Sequence, residues 1–327
     1  MKAKGNGQVL LTLAGCLAAG GLGTYLYASR VEARRYRIER VNVITGGANA
    51  DKALGNATGD ATVERASPHL DPEGLPPINL KILHLSDLHL SWPESHKMEF
   101  LSRVTNDDYD MVILTGDVFE NYSGLPYAGS ILSRRPRLGA YAVLGNHDYY
   151  DYTWFHKTFG RMVRRFRHPP VKREVGPLID APENGGFKVM RNSSLTLAQE
   201  RVHIVGIDYP GIAENDLRKL VAQAPEDHFV LSLLHVPHAL ESLMRAGVHL
   251  ALGGHTHGGQ VRVPLVGALL TDSELPRHEA SGLLWRGETA IHISRGIGAD
   301  PKTNFRLFCP PTATILQVRH QARRSGI

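Results

Sequence analysis

Residues 80–89 read Leu-Lys-Ile-Leu-His-Leu-Ser-Asp-Leu-His, a short apolar run that ends in polar side chains. A run of this length, bounded by polar residues, is typical of a buried β-strand. Similar runs recur along the chain at 111–115, 140–144, 201–207, 229–234, 249–253, 289–294 and 312–318. Helical stretches lie between several of them, at 95–105, 214–223 and 238–246. Strands that alternate with helices predict an α/β fold built in layers.

Several of these predicted strands run directly into side chains that can bind a metal ion. The candidate ligands are Asp87, His89, Asp117, Asn146, His235, His255 and His257. Binding sites in α/β sheets form at the carboxyl ends of strands, which is where these residues fall. Carboxylate, amide and imidazole donors without a thiolate suit Mn²⁺, Mg²⁺, Fe or catalytic Zn²⁺. Seven ligands exceed the needs of one ion but suffice for two ions that share a carboxylate.

Taken singly, each candidate ligand is more often an ordinary polar residue at the start of a loop. The spacing favours a joint role, because residues two apart near a strand end can point to the same side. Asp87 with His89, and His255 with His257, have this spacing. Glycines at 116, 145 and 254 allow tight turns and close backbone approach beside them.

The composition of the chain is that of an ordinary globular protein. It has 327 residues, of which 42% are hydrophobic and 21% charged. These values exclude wholesale disorder, a collagen-like repeat and a disulfide-stapled miniprotein. The two cysteines, Cys16 and Cys309, cannot form a disulfide framework. The cysteine content therefore does not demand an oxidising compartment.

The net charge of +5 is concentrated at the start of the chain. Residues 1–40 contain seven basic and two acidic residues, so the charges of the other 287 residues sum to zero. A nucleic-acid-binding protein would spread basic charge over its folded part, so we expect no nucleic-acid partner. The basic excess beside an apolar segment points to a membrane surface instead.

The apolar segment itself predicts a membrane anchor. The 25 residues from Gly5 to Ser29 carry no charge. A helix of this length could cross a hydrocarbon core of about 30 Å. Two lysines precede the segment and five arginines follow it, so the rest of the chain is expected in the cytoplasm. We therefore predict a single-pass protein of the inner (cytoplasmic) membrane. Two alternatives stay open, a cleaved signal peptide and a lipoprotein signal at Leu13-Ala14-Gly15-Cys16.

The order of motifs along the chain resembles that of a known family. The chain contains, in order, Asp-x-His at 87–89, Gly-Asp at 116–117, Gly-Asn-His-Asp at 145–148, His235 and Gly-His-x-His at 254–257. This order is similar to the signature of the calcineurin-like metallophosphoesterases, and the resemblance covers about residues 78–318. Gly-Gly-Gln at 258–260 and Arg-Leu-Phe-Cys-Pro-Pro at 306–311 resemble the membrane-associated bacterial branch of that family.

The resemblance implies an α/β fold of four layers, an αββα sandwich, here with an N-terminal transmembrane helix. It divides the chain into an anchor with a basic flank at 1–35, a first strand and irregular insertion at 36–77, and the metallophosphoesterase domain at 78–320. The insertion departs from the compact start expected of the family, and the sequence suggests no role for it.

The resemblance also implies a role for each candidate residue. For one ion the implied ligands are Asp87, His89 and His257. For the other ion they are Asn146, His235 and His255. Asp117 is implied to bind both ions. His147 is the implied catalytic histidine, which protonates the leaving oxygen or stabilises the transition state. Glu120 is expected to orient His147, and Asp148 to be structural. The expected cofactors are two divalent metal ions, with Mn²⁺ favoured and Mg²⁺, Fe or Zn²⁺ as alternatives.

These roles describe a dinuclear-metal-dependent hydrolase of a phosphoester or pyrophosphate bond. In the resembled branch, the best-defined activity cleaves UDP-2,3-diacylglucosamine to lipid X and UMP in lipid A biosynthesis. We therefore expect a lipid-linked phosphate or pyrophosphate substrate and a membrane surface as partners; the sequence does not indicate an oligomeric state. The alternative is a broad-specificity membrane phosphodiesterase that acts on phospholipids or aryl phosphodiesters. A non-enzymatic interaction module is disfavoured, because such members usually lose ligands and all seven are present.

Residues 149–175 combine aromatic and basic side chains. Their apolar positions 155, 159, 162, 163 and 166 trace one face of a helix. This helix either lies on anionic lipid beside the active site or packs on the sheet in the ordinary way. His84, inside a predicted strand, and His238, at a predicted helix start, are expected to be packing or capping residues.

Overall fold

The computed structural model describes residues 18–46, 76–93, 95–152, 170–271, 273–299 and 305–321. The strands are β1 (Arg37–Gly46), β2 (Ile78–Leu85), β3 (Met111–Thr115), β4 (Ala140–Val143), β5 (Tyr150–Asp151), β6 (Val171–Lys172), β7 (Phe187–Val189), β8 (Ser193–Leu197), β9 (Val202–Gly206), β10 (Phe229–Leu233), β11 (Leu250–Gly253), β12 (Arg262–Val263), β13 (Gly267–Ala268), β14 (Gly282–Arg286), β15 (Thr289–Ile293) and β16 (Thr312–Gln321). The α-helices are α1 (Ser95–Val104), α2 (Asn146–Tyr149), α3 (Gly176–Asn184), α4 (Glu214–Val221) and α5 (Leu240–Ala246). Short 3₁₀ helices cover Glu32–Arg34, Tyr122–Ser130, His257–Gly259 and Arg277–Glu279.

The long strands form two six-stranded sheets, in the orders β1-β16-β2-β3-β4-β7 and β14-β15-β11-β10-β9-β8. In the first sheet β2, β3, β4 and β7 run parallel, and β16 is antiparallel to β2. In the second sheet β9, β10, β11 and β15 run parallel between antiparallel edge strands. Parallel neighbours end on the same edge, so the loops after β2, β3 and β4 meet, as do those after β10 and β11. The predicted α/β fold is confirmed, and its sheets are mixed.

Three apolar cores order these elements into layers. Ile82 of the first sheet and Leu231 of the second lie in the core between the sheets. Leu101 of α1 and Leu178 of α3 pack on the outer face of the first sheet. On the outer face of the second sheet, α4 and α5 form the third core, to which Leu217 belongs. Fully burying each such side chain contributes about 1.5–3 kcal/mol, so the cores hold the strand ends firmly in place.

The N-terminal segment is exposed over residues 18–27 and contacts the domain at Ala28. Residues 18–26 are helical, a π-helix follows at Tyr27–Val31, and the run ends in the turn Glu32–Arg34. Ala28 is buried, and its carbonyl accepts a hydrogen bond from the Arg306 backbone N–H at 3.0 Å. A membrane span needs about 20 consecutive apolar residues. Across the described ranges, which begin at residue 18, no helix has the length and apolar character to cross a membrane. The prediction of a transmembrane helix and a single-pass inner-membrane location is therefore wrong.

Three features singled out from the sequence fall wholly or mostly outside the described residues. They are the lipoprotein signal at Cys16, residues 47–75 of the irregular insertion expected at 46–77, and residues 153–169 of the basic aromatic stretch. The choice between a lipid-contacting and a packed helix at that stretch stays a prediction.

His84 and His238 occupy different surroundings. His84 is fully buried, with its ring nitrogens 2.9 Å from Thr115 Oγ1 and 2.9 Å from His292 Nδ1. It is thus a hydrogen-bonded packing residue. His238 is not a capping residue, because α5 has Ala239 at its N-cap without a side-chain cap.

Candidate metal centre

The loops that carry the candidate ligands follow β2, β3, β4, β10 and β11. Five ligand residues adopt positive φ angles: Asp87 (50°), His89 (45°), Asp117 (52°), His255 (71°) and His257 (50°). Residues held in this left-handed region cost about 1–3 kcal/mol each, and they cluster at active sites. The surrounding structure must therefore hold these loops in place.

Gly145 shows how closely the loops approach one another. A Cβ built on this glycine would overlap the Asp117 carboxylate and lie 2.8 Å from the His235 ring. A larger residue would thus push apart the ligands that follow two different strands.

The first group of candidate ligands consists of Asp87, His89 and His257, whose ligand atoms all lie within 4.8 Å of one another. The Nε2 atoms of His89 and His257 are 3.2 Å apart, and His257 Nε2 is 3.7 Å from Asp87 Oδ1. The Asp87 carboxylate is fixed by two neighbours. Ser86 Oγ–H donates to its Oδ2 at 2.6 Å, and the His255 backbone N–H lies 3.1 Å from both carboxylate oxygens.

The second group consists of Asp117, His235 and His255, whose ligand atoms also lie within 4.8 Å of one another. His235 Nε2 is 3.3 Å from Asp117 Oδ2 and 3.1 Å from Asn146 Oδ1, which brings the predicted amide ligand to this group. Asp117 Oδ2 is also 3.7 Å from His89 Nε2 of the first group. One carboxylate therefore lies between the two groups.

The donors of both groups fit divalent cations. They are carboxylate, amide and imidazole atoms, a set that suits Mn²⁺, Mg²⁺, Fe and catalytic Zn²⁺. The carboxylates of Asp87 and Asp117 are only 0% and 2% exposed. Burying such a charge is costly unless an opposite charge or hydrogen bonds compensate it, and bound cations would supply that compensation.

Neighbouring charges set the protonation of the central residues. Burial raises the pKa of Asp117, but the positive charges of His235 and His147 outweigh burial and hold that pKa well below its usual value. Burial lowers the pKa of His235, but the charge of Asp117 and a hydrogen bond to it raise that pKa to about 9. Burial and the charges of His89 and Arg306 hold the pKa of His257 well below its usual value, so this imidazole stays uncharged.

His147 and Glu120 lie beside the first group. The His147 ring centroid is 4.7 Å from that of His89, and the His147 backbone N–H donates to Asp117 Oδ1 at 2.8 Å. Glu120 Oε2 is 3.2 Å from Nδ1 of His147 and 3.2 Å from Nδ1 of His89. Burial raises the pKa of Glu120, but the contacts with both histidines hold that pKa below its usual value. The sequence pointed to a contact with His147 and missed the one with His89.

Asp148 ties together the loops after β3 and β4. Its carboxylate accepts hydrogen bonds from the backbone N–H groups of Gly145 at 2.8 Å and Val118 at 3.1 Å. Burial and the charge of Asp117 raise the pKa of Asp148 to about 6. These contacts suit the structural role expected of it.

The ring nitrogens that face away from the two groups also have partners. His89 Nδ1 lies against Glu120, and His235 Nδ1–H donates to the Thr115 carbonyl at 2.7 Å. His257 Nδ1 is 3.2 Å from Arg306 Nη2. Such partners orient an imidazole toward a metal ion. Sequence reasoning missed Thr115 and Arg306, because these contacts join residues that lie far apart in the chain.

Arg173, also missed, holds the loop that carries His147. Its guanidinium donates to the carbonyls of His147 at 2.8 Å and Phe119 at 3.3 Å, and also to that of Glu120. The side chain is 6% exposed. One arginine of the basic aromatic stretch at 149–175 is therefore buried beside His147.

Cation binding to the second group should release a proton. Because the pKa of His235 is about 9 without a cation, its imidazole is protonated at neutral pH, and a cation must displace that proton. We expect the apparent Mn²⁺ affinity to rise as pH increases toward 9. Calorimetric titration with Mn²⁺ in buffers of different ionisation enthalpy measures the proton release. An affinity independent of pH, with no proton released, would contradict the expectation.

Comparisons with known proteins identify the family of the chain. Residues 80–259 match the calcineurin-like phosphoesterase family. The chain is 26% identical over 333 residues to the uncharacterized metallophosphoesterase YkuE of Bacillus subtilis (strain 168), which covers 98% of this chain and 99% of YkuE. It is 29% identical over 254 residues to phosphodiesterase YaeI of Escherichia coli (strain K12), which covers 73% of this chain and 82% of YaeI. It is 25% identical over 281 residues to UDP-2,3-diacylglucosamine pyrophosphatase LpxG of Chlamydia muridarum (strain MoPn / Nigg), and the alignment covers 74% of this chain and 84% of LpxG.

The family match spans more than half of the length of this chain. The chain therefore belongs to the calcineurin-like phosphoesterase family and is a metal-dependent phosphohydrolase.

Proposed function

We propose that the two ligand groups form one two-cation centre that hydrolyses a phosphodiester or pyrophosphate bond. The supporting observation is the position of Asp117, whose carboxylate lies 3.3 Å from His235 Nε2 and 3.7 Å from His89 Nε2. A carboxylate between two ligand groups can serve both cations. Two divalent cations, when bound, polarise a phosphoryl group and lower the pKa of a nearby water molecule.

The residues of the chain would supply the proton that the leaving group needs. We assign this proton donation to His147, because its ring lies beside the first ligand group. Glu120 contacts the Nδ1 side of that ring at 3.2 Å, which leaves Nε2 for the leaving oxygen. Arg173 keeps the His147 loop against Glu120 through its hydrogen bonds to both carbonyls.

For the substrate, we propose UDP-2,3-diacylglucosamine, cleaved to lipid X and UMP. The relative LpxG, 25% identical, carries this substrate in its name. A broad-specificity phosphodiesterase that acts on phospholipids or aryl phosphodiesters is the alternative. The relative YaeI, 29% identical and named as a phosphodiesterase, favours the alternative.

An apolar surface near the His257 loop supports a substrate with acyl chains. This apolar surface consists of Val263, Leu265, Val266, Leu270 and Phe308. Leu265 is fully exposed, Leu270 is 65% exposed and Phe308 is 56% exposed. A β-bridge from Val261 to Leu307 joins the β12–β13 hairpin to the segment that carries Phe308. An ester with a phosphate head and apolar chains could bind the metal centre and this surface together, and burying each leucine would contribute up to about 1.5–3 kcal/mol.

The substrate proposal is tested by comparing three compounds with the Mn²⁺-loaded protein. The compounds are UDP-2,3-diacylglucosamine, a UDP-sugar without acyl chains, and bis-p-nitrophenyl phosphate. A clear preference in kcat/KM for the acylated compound supports the proposed substrate. Comparable rates for the acylated compound and the aryl diester support the broad-specificity alternative, and no hydrolysis of any compound overturns the proposed function.

Replacing Leu265 and Val266 together with Ser should raise KM for the acylated substrate about tenfold or more, because two exposed apolar contacts are lost. Hydrolysis of bis-p-nitrophenyl phosphate should stay unchanged, since that compound needs only the metal centre. Steady-state kinetics on both compounds provide the measurement. An Ile38→Ser variant, at an exposed apolar position on β1, is the matched control. Equal loss on both compounds would mean that the hairpin supports the fold and not the acyl chains.

A further inference from the structure

Arg306 is among the largest fully buried side chains of the described residues, and it lies directly behind His257. Its exposure is 0%. Its Nη2 is 3.2 Å from His257 Nδ1, and its Nη1 is 3.5 Å from the His257 carbonyl oxygen. The guanidinium therefore contacts both the ring and the backbone of a candidate ligand.

The remaining hydrogen bonds of Arg306 go to loops on either side. Its Nη2 donates to the carbonyls of Arg295 at 2.8 Å and Gly296 at 3.3 Å, and its Nε donates to that of Gly298 at 3.1 Å. Its Nη1 donates to the carbonyl of Cys309 at 3.3 Å. A planar guanidinium with donors in a fixed fork can satisfy several carbonyls at once, which an ammonium cannot do in the same geometry.

One of these loops also supports Asp87. The Gly298 backbone N–H donates to the Asp87 carbonyl at 2.7 Å, and the Ile297 N–H donates to that of Ser86 at 3.0 Å. A Cβ on Gly296 would lie 2.8 Å from Asp87 Cβ, so the loop presses directly on this ligand. Arg306 thus joins the segments that carry His257 and Asp87, two of the three members of the first group.

Keeping a guanidinium at 0% exposure sacrifices its hydration, a cost that an apolar residue filling the same space would avoid. We propose that Arg306 is the positioning residue of the first ligand group, which holds His257 and the Asp87 loop at the spacing that one cation requires. This inference rests on the proposed two-cation centre.

The test measures Mn²⁺ binding in Arg306→Lys and Arg306→Gln variants of the full chain. Elemental analysis after gel filtration gives the number of bound ions, and electron paramagnetic resonance distinguishes a coupled Mn²⁺ pair from a single ion. We expect the wild type to bind two ions as a coupled pair. Both variants should keep one ion, lose the coupled signal and bind the second ion about 10–100-fold more weakly.

The matched control is Arg262→Gln, because Arg262 Nη1 also donates to this loop, at the Gly258 carbonyl (3.1 Å), but is only partly buried. It should keep two ions. Folded Arg306 variants that bind two ions like the wild type would overturn the proposal. A wild type that binds fewer than two ions would instead refute the proposed two-cation centre.

If the Lys and Gln variants do not fold, the positioning role is tested with Arg306→Ala in the presence of millimolar guanidinium. Guanidinium restores the same planar donors, so it should restore folding and the coupled Mn²⁺ signal, whereas methylammonium should not. A variant that stays unfolded with guanidinium, or that folds without regaining the second ion, would assign Arg306 to the stability of the fold and overturn the positioning role.

Discussion

Replacing Asp117 with Asn should leave a folded protein whose hydrolysis of any phosphodiester is at least ~10³-fold slower than that of the wild type. The carboxylate of Asp117 lies between the two ligand groups, near both His235 and His89. A neutral amide cannot compensate the charge of two dications. Elemental analysis should show fewer bound ions, and kcat should fall on acylated and aryl substrates alike.

The matched control for this prediction is Asp110→Asn. Asp110 directly precedes β3, whereas Asp117 follows β3. The Asp110 carboxylate accepts a hydrogen bond from the Lys81 backbone N–H at 2.8 Å and forms an ion pair with Arg137 at 2.8 Å. This variant should keep both ions and normal turnover. An Asp117→Asn protein with two bound ions and near-normal turnover would show that the carboxylate is not shared.

Replacing His147 with Ala should lower kcat by about 10²–10⁴-fold while the bound ions stay in place, because in the role proposed above the ring supplies a proton and does not bind a cation. The loss should be largest for a substrate with a poor leaving group. It should be smaller for bis-p-nitrophenyl phosphate, whose nitrophenolate leaves readily without a proton. Turnover and metal content are measured on the same preparation.

An exposed histidine, His96, provides the control, and His96→Ala should match the wild type. If His147→Ala lost a metal ion together with activity, His147 would be a ligand and the assignment of proton donation would fail. Equal losses for good and poor leaving groups would instead favour stabilisation of charge over proton donation.

The fold was predictable wherever a strand or helix was locally consistent. The apolar runs at 111–115 and 229–234 correspond to β3 and β10, and the periodic stretch at 214–223 corresponds to α4. The edge strands β7, β8 and β14 were not predicted, because partly exposed strands such as β8 and β14 lack a continuous apolar run. Their pairing depends on the sheet beside them, which the local sequence does not show.

The candidate site was predictable for residues that stand in short motifs, and unpredictable for those that support them. The structure brings the seven candidate ligands together, whereas their roles in metal binding stay predictions. Thr115 acts through its backbone carbonyl, so its side chain carries no signal. Arg306 lies 49 positions from His257, and only the folded chain joins them. The membrane anchor failed as a prediction because an uncharged stretch with basic flanks does not by itself make a helix of sufficient length and apolar character, and the described residues contain no such helix.

The left-handed backbone at Asp87, His89, Asp117, His255 and His257 has a consequence for protein design. A designer who grafted only these side chains onto another pair of sheets would place them on loops that relax to ordinary backbone angles, and the donor atoms would point elsewhere. A working graft would need the glycine contacts and buried hydrogen bonds that hold each loop. The transferable unit is therefore the whole set of strand-end loops, and a list of ligands would be too small a template.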